Sequence, residues 1–219
     1  MAEELRLWAI NVDLFRQCFA APPELAEKLR EVTDSMTATS SSNKPGGLLS
    51  KLGPLLRHPP TAPVIRPGIP NRQDGESMMT SRYIASDRLS ASWILAQAWL
   101  DSLATAHTTI PLPRTQFDEL EFDLVRAGVP TQISIRHLWR HSIDIPLRVT
   151  DDMTVGYMEH PTVLYLVEQW KNALPDLEEG TVEFATPLLD FASPFLEYSA
   201  TAADQGTQGE DLIAWWTSR

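Results

Sequence analysis

The stretch "RHLWRH", residues 136–141, gathers the chain's densest set of chemically versatile side chains. His137 and His141 are four residues apart, so on an α-helix they share a face and can begin a metal site. A third ligand is then required, and Asp144, Glu159 and His160 are the nearest candidates in sequence. Arg136 and Arg140 also share a face by that count, which suits a carboxylate or a phosphate. Plainer readings compete with both. Histidines recur at this spacing by chance, and the arginines can neutralise an acidic helix over residues 115–127, in cross-helix pairs worth little each. The plainer readings are favoured, so no metal and no cofactor is expected.

Other reactive groups offer less. Cys18 sits on the apolar stripe of its own segment, where a thiol behaves as a small inert hydrophobe. As the single cysteine it also excludes an internal disulfide and any cysteine-based zinc cluster. Asp151 and Asp152, like Glu178, Glu179 and Glu183, read as solvated turns. "KPGGLLSKLG" lacks the order of a phosphate-binding loop, and neither a G-x-S-x-G elbow nor an H-E-x-x-H pair occurs. No catalytic residues are assigned.

The elements that must position these groups can be read from periodicity. "LRLWAINV" alternates as a strand, and Asp13 is placed to cap "LFRQCFA". A second helix follows Pro22-Pro23. "SDRLSASWILAQAWLDSLATA", residues 86–106, has the strongest helical stripe, through Leu89, Trp93, Ala96, Leu100 and Leu103. Thr115 is placed to cap "QFDELEFDLVRA", with Phe117, Leu120, Leu124 and Val125 inward and Asp118, Glu119, Glu121 and Asp123 mostly outside. Gly128 ends that helix. Residues 133–141 read as a short helix, although "TQISI" alone fits a strand. "DDMTVGYM" is a strand, Pro161 opens a helix, "PDLEEGT" is an acidic loop, and a long helix spans about 186–204 with a bend at Pro194. "DLIAWWTS" alternates again, with apolar residues on both faces, as does the first strand. A small sheet in which the two ends of the chain meet is expected, with Trp215 and Trp216 clamping helices on its opposite faces.

Composition sets the frame. A chain of 219 residues with 43% hydrophobic residues and seven Trp can bury a core. Residues 1–80 balance nine Lys/Arg with nine Asp/Glu, whereas 81–219 carry nine against twenty, so the net charge of −11 lies in the second part. Such a body repels nucleic-acid phosphates and favours a basic protein partner, although the plainer reading, that the acidity simply keeps the protein soluble, is favoured. Three regions are expected: 1–36 as the start of the main domain, 37–80 as a Pro/Ser-rich basic insertion or linker, and 81–219 as the rest of one domain. Within 37–80, Leu48, Leu49, Leu52, Leu55 and Leu56 mark an amphipathic stripe. No run is long enough to span a membrane, and "MAEELRLWAI" lacks a secretory layout, so a cytoplasmic protein is expected.

The order of "LRLWAINVDLFRQCF", "RAGVP", "TVGYMEHPTVLYLVEQW" and "AADQGTQGEDLIAWW" resembles the YfbM-like family of uncharacterised bacterial proteins. The similarity covers residues 5–20 and about 83–219. It implies an α+β fold and brings no catalytic residue with it. It leaves 37–80 uninterpreted.

Three functions follow as expectations. The first is a non-enzymatic binding protein, such as an immunity or inhibitor protein, whose acidic surface holds a basic partner. Its contact residues would be Asp118, Glu119, Glu121 and Asp123, with Arg136, His137, Arg140 and His141 beside them. The alternative is an enzyme acting on an anionic substrate through the Arg136/His137/Arg140/His141 cluster. In the third, the basic 37–80 segment masks the acidic body. Oligomeric state is left open.

Overall fold

A computed structural model describes residues 3–41, 68–205 and 209–218. The leucine stripe of residues 48–56 and the bases Lys44, Lys51, Arg57 and Arg66 lie outside the described residues. The fold is α+β: among the described residues, four strands form one antiparallel sheet in the order β2-β1-β4-β3. These are β1 (Glu3–Ile10), β2 (Ala106–Pro111), β3 (Met153–Met158) and β4 (Asp211–Ser218). The first and last strands are neighbours at the sheet centre, with Leu5 opposite Trp216, Leu7 opposite Ala214 and Ala9 opposite Leu212.

Packing divides the chain into two compact units, Met1–Gln17 with Leu100–Arg219, and Cys18–Trp99.

In the first unit, one face of the sheet carries Leu5, Leu7, Ala9, Ile110, Leu212 and Ala214 into a core completed by helices. Those helices are α5 (Arg114–Arg126), α6 (His160–Ala173), α7 (Glu179–Ala192) and α8 (Phe195–Gln205). Trp216 packs against this core. Trp215 points to the opposite face, 2% exposed, with its ring 6.0 Å from that of Trp8. The indole Nε1–H of Trp8 donates to Asp101 at 2.8 Å. The adjacent tryptophans therefore seal opposite faces of the strand.

The second unit holds α2 (Pro23–Ser41), α3 (Arg72–Met79) and most of α4 (Leu89–Leu103); α1 (Val12–Gln17) belongs to the first. Leu29, Met78, Trp93, Leu95, Ala96 and Trp99 are buried. Trp99 donates to the Thr33 hydroxyl at 3.2 Å, and Thr33 donates to the Leu29 carbonyl at 2.8 Å. Cys18 is buried, and desolvation pushes its thiol up to about 12. No helix among the described residues is long and apolar enough to cross a membrane.

Several elements depart from the expected ones. Asn11, not Asp13, caps α1: its Oδ1 accepts from the Asp13 and Leu14 amides at 2.9 and 3.2 Å, so Asp13 falls inside the first turn. α5 starts at Arg114 behind Pro113, which leaves Thr115 within the helix. β2 was hidden behind the long helix expected to residue 106; α4 stops at Leu103, and "AHTTIP" pairs with β1. Part of 37–80 is helical, because α2 continues to Ser41 and α3 is started by a capping box between Asn71 and Asp74. The "acidic loop" is the start of α7, where Glu178 and Glu179 favour the positive end of the helix. Ser193-Pro194 separates α7 from α8 instead of bending one helix, since proline cannot donate to the preceding turn.

Candidate functional site

Helix α5 sets the geometry of two concave surfaces in the first unit. Its C-terminus closes with a Schellman pattern: Val129 N–H donates to Leu124 O at 2.9 Å and Gly128 N–H to Val125 O at 3.0 Å. Gly128 supplies the required left-handed φ of +86°. Leu120 and Leu124 point into the core, and Asp123, three residues after Leu120, falls on the same buried stripe.

Asp123 is thus only 4% exposed, contrary to the expectation that it faces solvent. Its carboxylate accepts from the Thr181 hydroxyl at 2.5 Å and meets Arg126 at 3.1 Å. Arg126 in turn donates to Glu178 at 2.7 Å. That bond pushes Arg126 above its ordinary pKa, with desolvation opposing it. Val125, expected inside, is exposed, because it lies on the outer side of the helix near Phe122.

Phe122 stands 67% exposed over a cleft of about 500 Å³ between α5 and α7. The cleft is lined by Glu119, Phe122, Asp123, Glu178, Glu183 and Phe184, with Gln116, Gly180 and Thr181. Glu119 and Glu183 make no ion pair among the described residues, and Glu178 shares Arg126. An exposed ring among carboxylates can receive an apolar side chain flanked by cations. Sequence reading named Glu119 but missed Phe122, which was hidden among the acids of its helix. Glu178 and Glu183 read from sequence as plain solvated surface.

The second surface is a groove of about 360 Å³ at the other end of α5, lined by Arg114, Phe117, Asp118, Arg136, Trp139, Thr154 and Trp216. Residues Ile135–Trp139 form a 3-10 helix, not an α-helix. This turn ends at Trp139, and His141 lies beyond it in a β-bridge with Tyr157, so the α-helical shared-face argument applies neither to His137 and His141 nor to Arg136 and Arg140. The segment also lies against β3, which only a glycine at 156 permits. A Cβ there would come within 2.6 Å of Trp139 Cα and 2.8 Å of the His141 carbonyl oxygen. Tyr157 N–H donates to that carbonyl at 3.0 Å, and the His141 and Tyr157 rings lie 5.4 Å apart.

Of the four clustered residues, only Arg136 lines the groove. It donates to Asp118 at 2.7 Å, lies 3.9 Å from Glu121, and its backbone N–H donates to Glu121 at 3.3 Å. This is the neutralising role expected from charge. His137 is partly buried, whereas Arg140 and His141 are exposed. Among the described residues no group of three or more His, Cys, Asp or Glu is placed to hold a metal ion.

A third cluster surrounds His160, the first residue of α6. Its Nδ1–H donates to the Glu210 carbonyl at 2.7 Å, which leaves Nε2 to accept from the Ser199 hydroxyl. Asp211 accepts the amides of His160 and Val12 at 3.0 and 3.1 Å. Arg16 donates to the Ile143 carbonyl at 2.7 Å and to Asp13 at 2.8 Å, and stands 5.3 Å from the Tyr157 ring centre. With its bonds spent inside the fold, this cluster fastens the start of β4.

Compared with known proteins, the chain matches no family model, no curated protein and no solved structure.

Proposed function

We propose that this protein is a non-enzymatic binding protein whose acidic face holds a basic protein partner, with an immunity or inhibitor protein as the concrete form. The observation that carries the reading is Phe122, an exposed aromatic ring set among Glu119, Glu178 and Glu183. Aromatic anchors inside a charged rim are where binding energy concentrates, and surplus carboxylates speed encounter with a cation-rich surface. The excess of acids over bases in residues 81–219 acts in the same direction.

The contact set is revised from the sequence. Glu119 stays, joined by Phe122, Glu178 and Glu183. Asp123 is enclosed, and Asp118 and Glu121 are engaged by Arg136. A cytoplasmic setting and kinship with the YfbM-like family belong to the same proposal. Co-purification from the native host, repeated with Phe122→Ala, tests the reading. A basic partner held by the parent and released by the variant is expected; equal retention by both removes the proposed surface.

A further inference from the structure

The groove at the N-terminal end of α5 is built from residues separate from the α5–α7 cleft. We infer that it is a second binding site, for a small planar aromatic carboxylate. Three rings form its apolar part, contributed by α5, the 3-10 segment and β4. Phe117 and Trp139 lie 5.4 Å apart at 35°, and Trp216 is fixed by its indole N–H donating to the Leu112 carbonyl at 3.1 Å. Rings held in this way present π faces without losing side-chain freedom on binding, which favours a flat aromatic guest. A volume of about 360 Å³ admits one or two fused rings.

The charges choose among flat guests. Asp118 already has its counter-charge in Arg136, at 2.7 Å, and Arg136 lies 5.7 Å from the centre of the Phe117 ring. Arg114 is the remaining charged residue of the lining; it is exposed, and its guanidinium makes no ion pair among the described residues. Glu3 and Glu121 are close but outside the lining. Glu3 accepts the backbone N–H of Arg114, and Glu121 faces Arg136. A cationic guest would meet two guanidinium groups, and a neutral one would leave Arg114 unmatched. A carboxylate on the ring satisfies it, with the ring against Trp139 and Trp216 and the acid toward Arg114.

Calorimetric titration of the full chain with four probes tests the site: 1-naphthoate, 1-naphthylmethanol, 1-naphthylmethylamine and cyclohexanecarboxylate. Naphthoate is expected to saturate the protein, with the alcohol and the cyclohexane acid binding on the order of tenfold more weakly and the amine weakest. Arg114→Gln should weaken naphthoate on the order of fivefold and leave the alcohol unchanged, while Arg114→Lys recovers part of the loss. Failure of naphthoate to saturate, equal binding of the alcohol, preference for the amine, or indifference to Arg114→Gln would each overturn the assignment. Arg114 is exposed, so its variants are expected to keep the fold, with circular dichroism as the check.

Discussion

Phe122 and Asp123 are neighbours on α5 with their usual places exchanged: the phenylalanine is 67% exposed and the aspartate 4%. A buried carboxylate is tolerated only where it is bonded, and Thr181 and Arg126 provide those bonds. A ring left 67% exposed gains little from folding and is available to a partner.

The two residues should therefore separate stability from binding. Phe122→Ser is expected to change unfolding free energy by no more than about 0.5 kcal/mol. Asp123→Ala, which leaves the Thr181 hydroxyl without its acceptor, should cost about 2 kcal/mol. Urea unfolding followed by tryptophan fluorescence checks both. Comparable losses in the two variants would show that Phe122 is structural.

In the second unit, Arg88 and Asp74 form an ion pair whose side chains are 12% and 7% exposed. Arg88 also donates to the Ile69 carbonyl at 2.8 Å, and Asp74 completes the cap of α3. Removing one partner strands the other charge. Asp74→Ala should cost about 3 kcal/mol, and Asp74→Asn somewhat less because the cap survives. Thermal unfolding of the pair of variants reads the difference.

Asp211 gives the pH prediction. Desolvation holds its carboxyl above the ordinary value, with the amides of Val12 and His160 pulling the other way. The folded state thus binds this proton more tightly than the unfolded chain. Its contribution to stability is complete below the ordinary carboxylate pKa and is lost as pH rises through the raised folded value. Carboxyl NMR should place the midpoint above that of a free aspartate. Asp211→Asn should flatten the corresponding slope in stability as pH rises from the ordinary carboxylate value through the raised folded one. A midpoint below the free value would reverse the sign.

Cys18 should resist alkylation in the native protein at about pH 8, where its raised pKa leaves almost no thiolate. Iodoacetamide with mass-spectrometric readout is expected to modify it only after denaturant is added. Rapid native labelling would contradict the burial described for it.

The alternation of "LRLWAINV" and "DLIAWWTS" was enough to place both terminal strands and to set Trp215 and Trp216 on opposite faces. Apolar residues on both faces of a strand require a central position, and both strands have one. β2 was less visible because "AHTTIP" is short and follows a strong helical stripe that masks its start. The cluster at 136–141 misled for a geometric reason. Spacing of four implies a common face only within an α-helix, whereas this segment is a 3-10 turn that ends at Trp139 and lies close against Gly156 of β3. Phe122 could not be singled out because exposure on α5 depends on where α7 packs, which no local pattern encodes.

The most direct test of the acidic docking face is a matched co-purification from the native host. Bait proteins are the parent chain and a Phe122→Ala/Glu119→Lys/Glu183→Lys variant, each washed with about 0.1 M and then about 0.5 M salt. The prediction is a basic protein retained by the parent at low salt, released at high salt, and absent from the folded variant. Retention of that protein by the variant, or no basic protein on the parent at either salt concentration, would contradict the account.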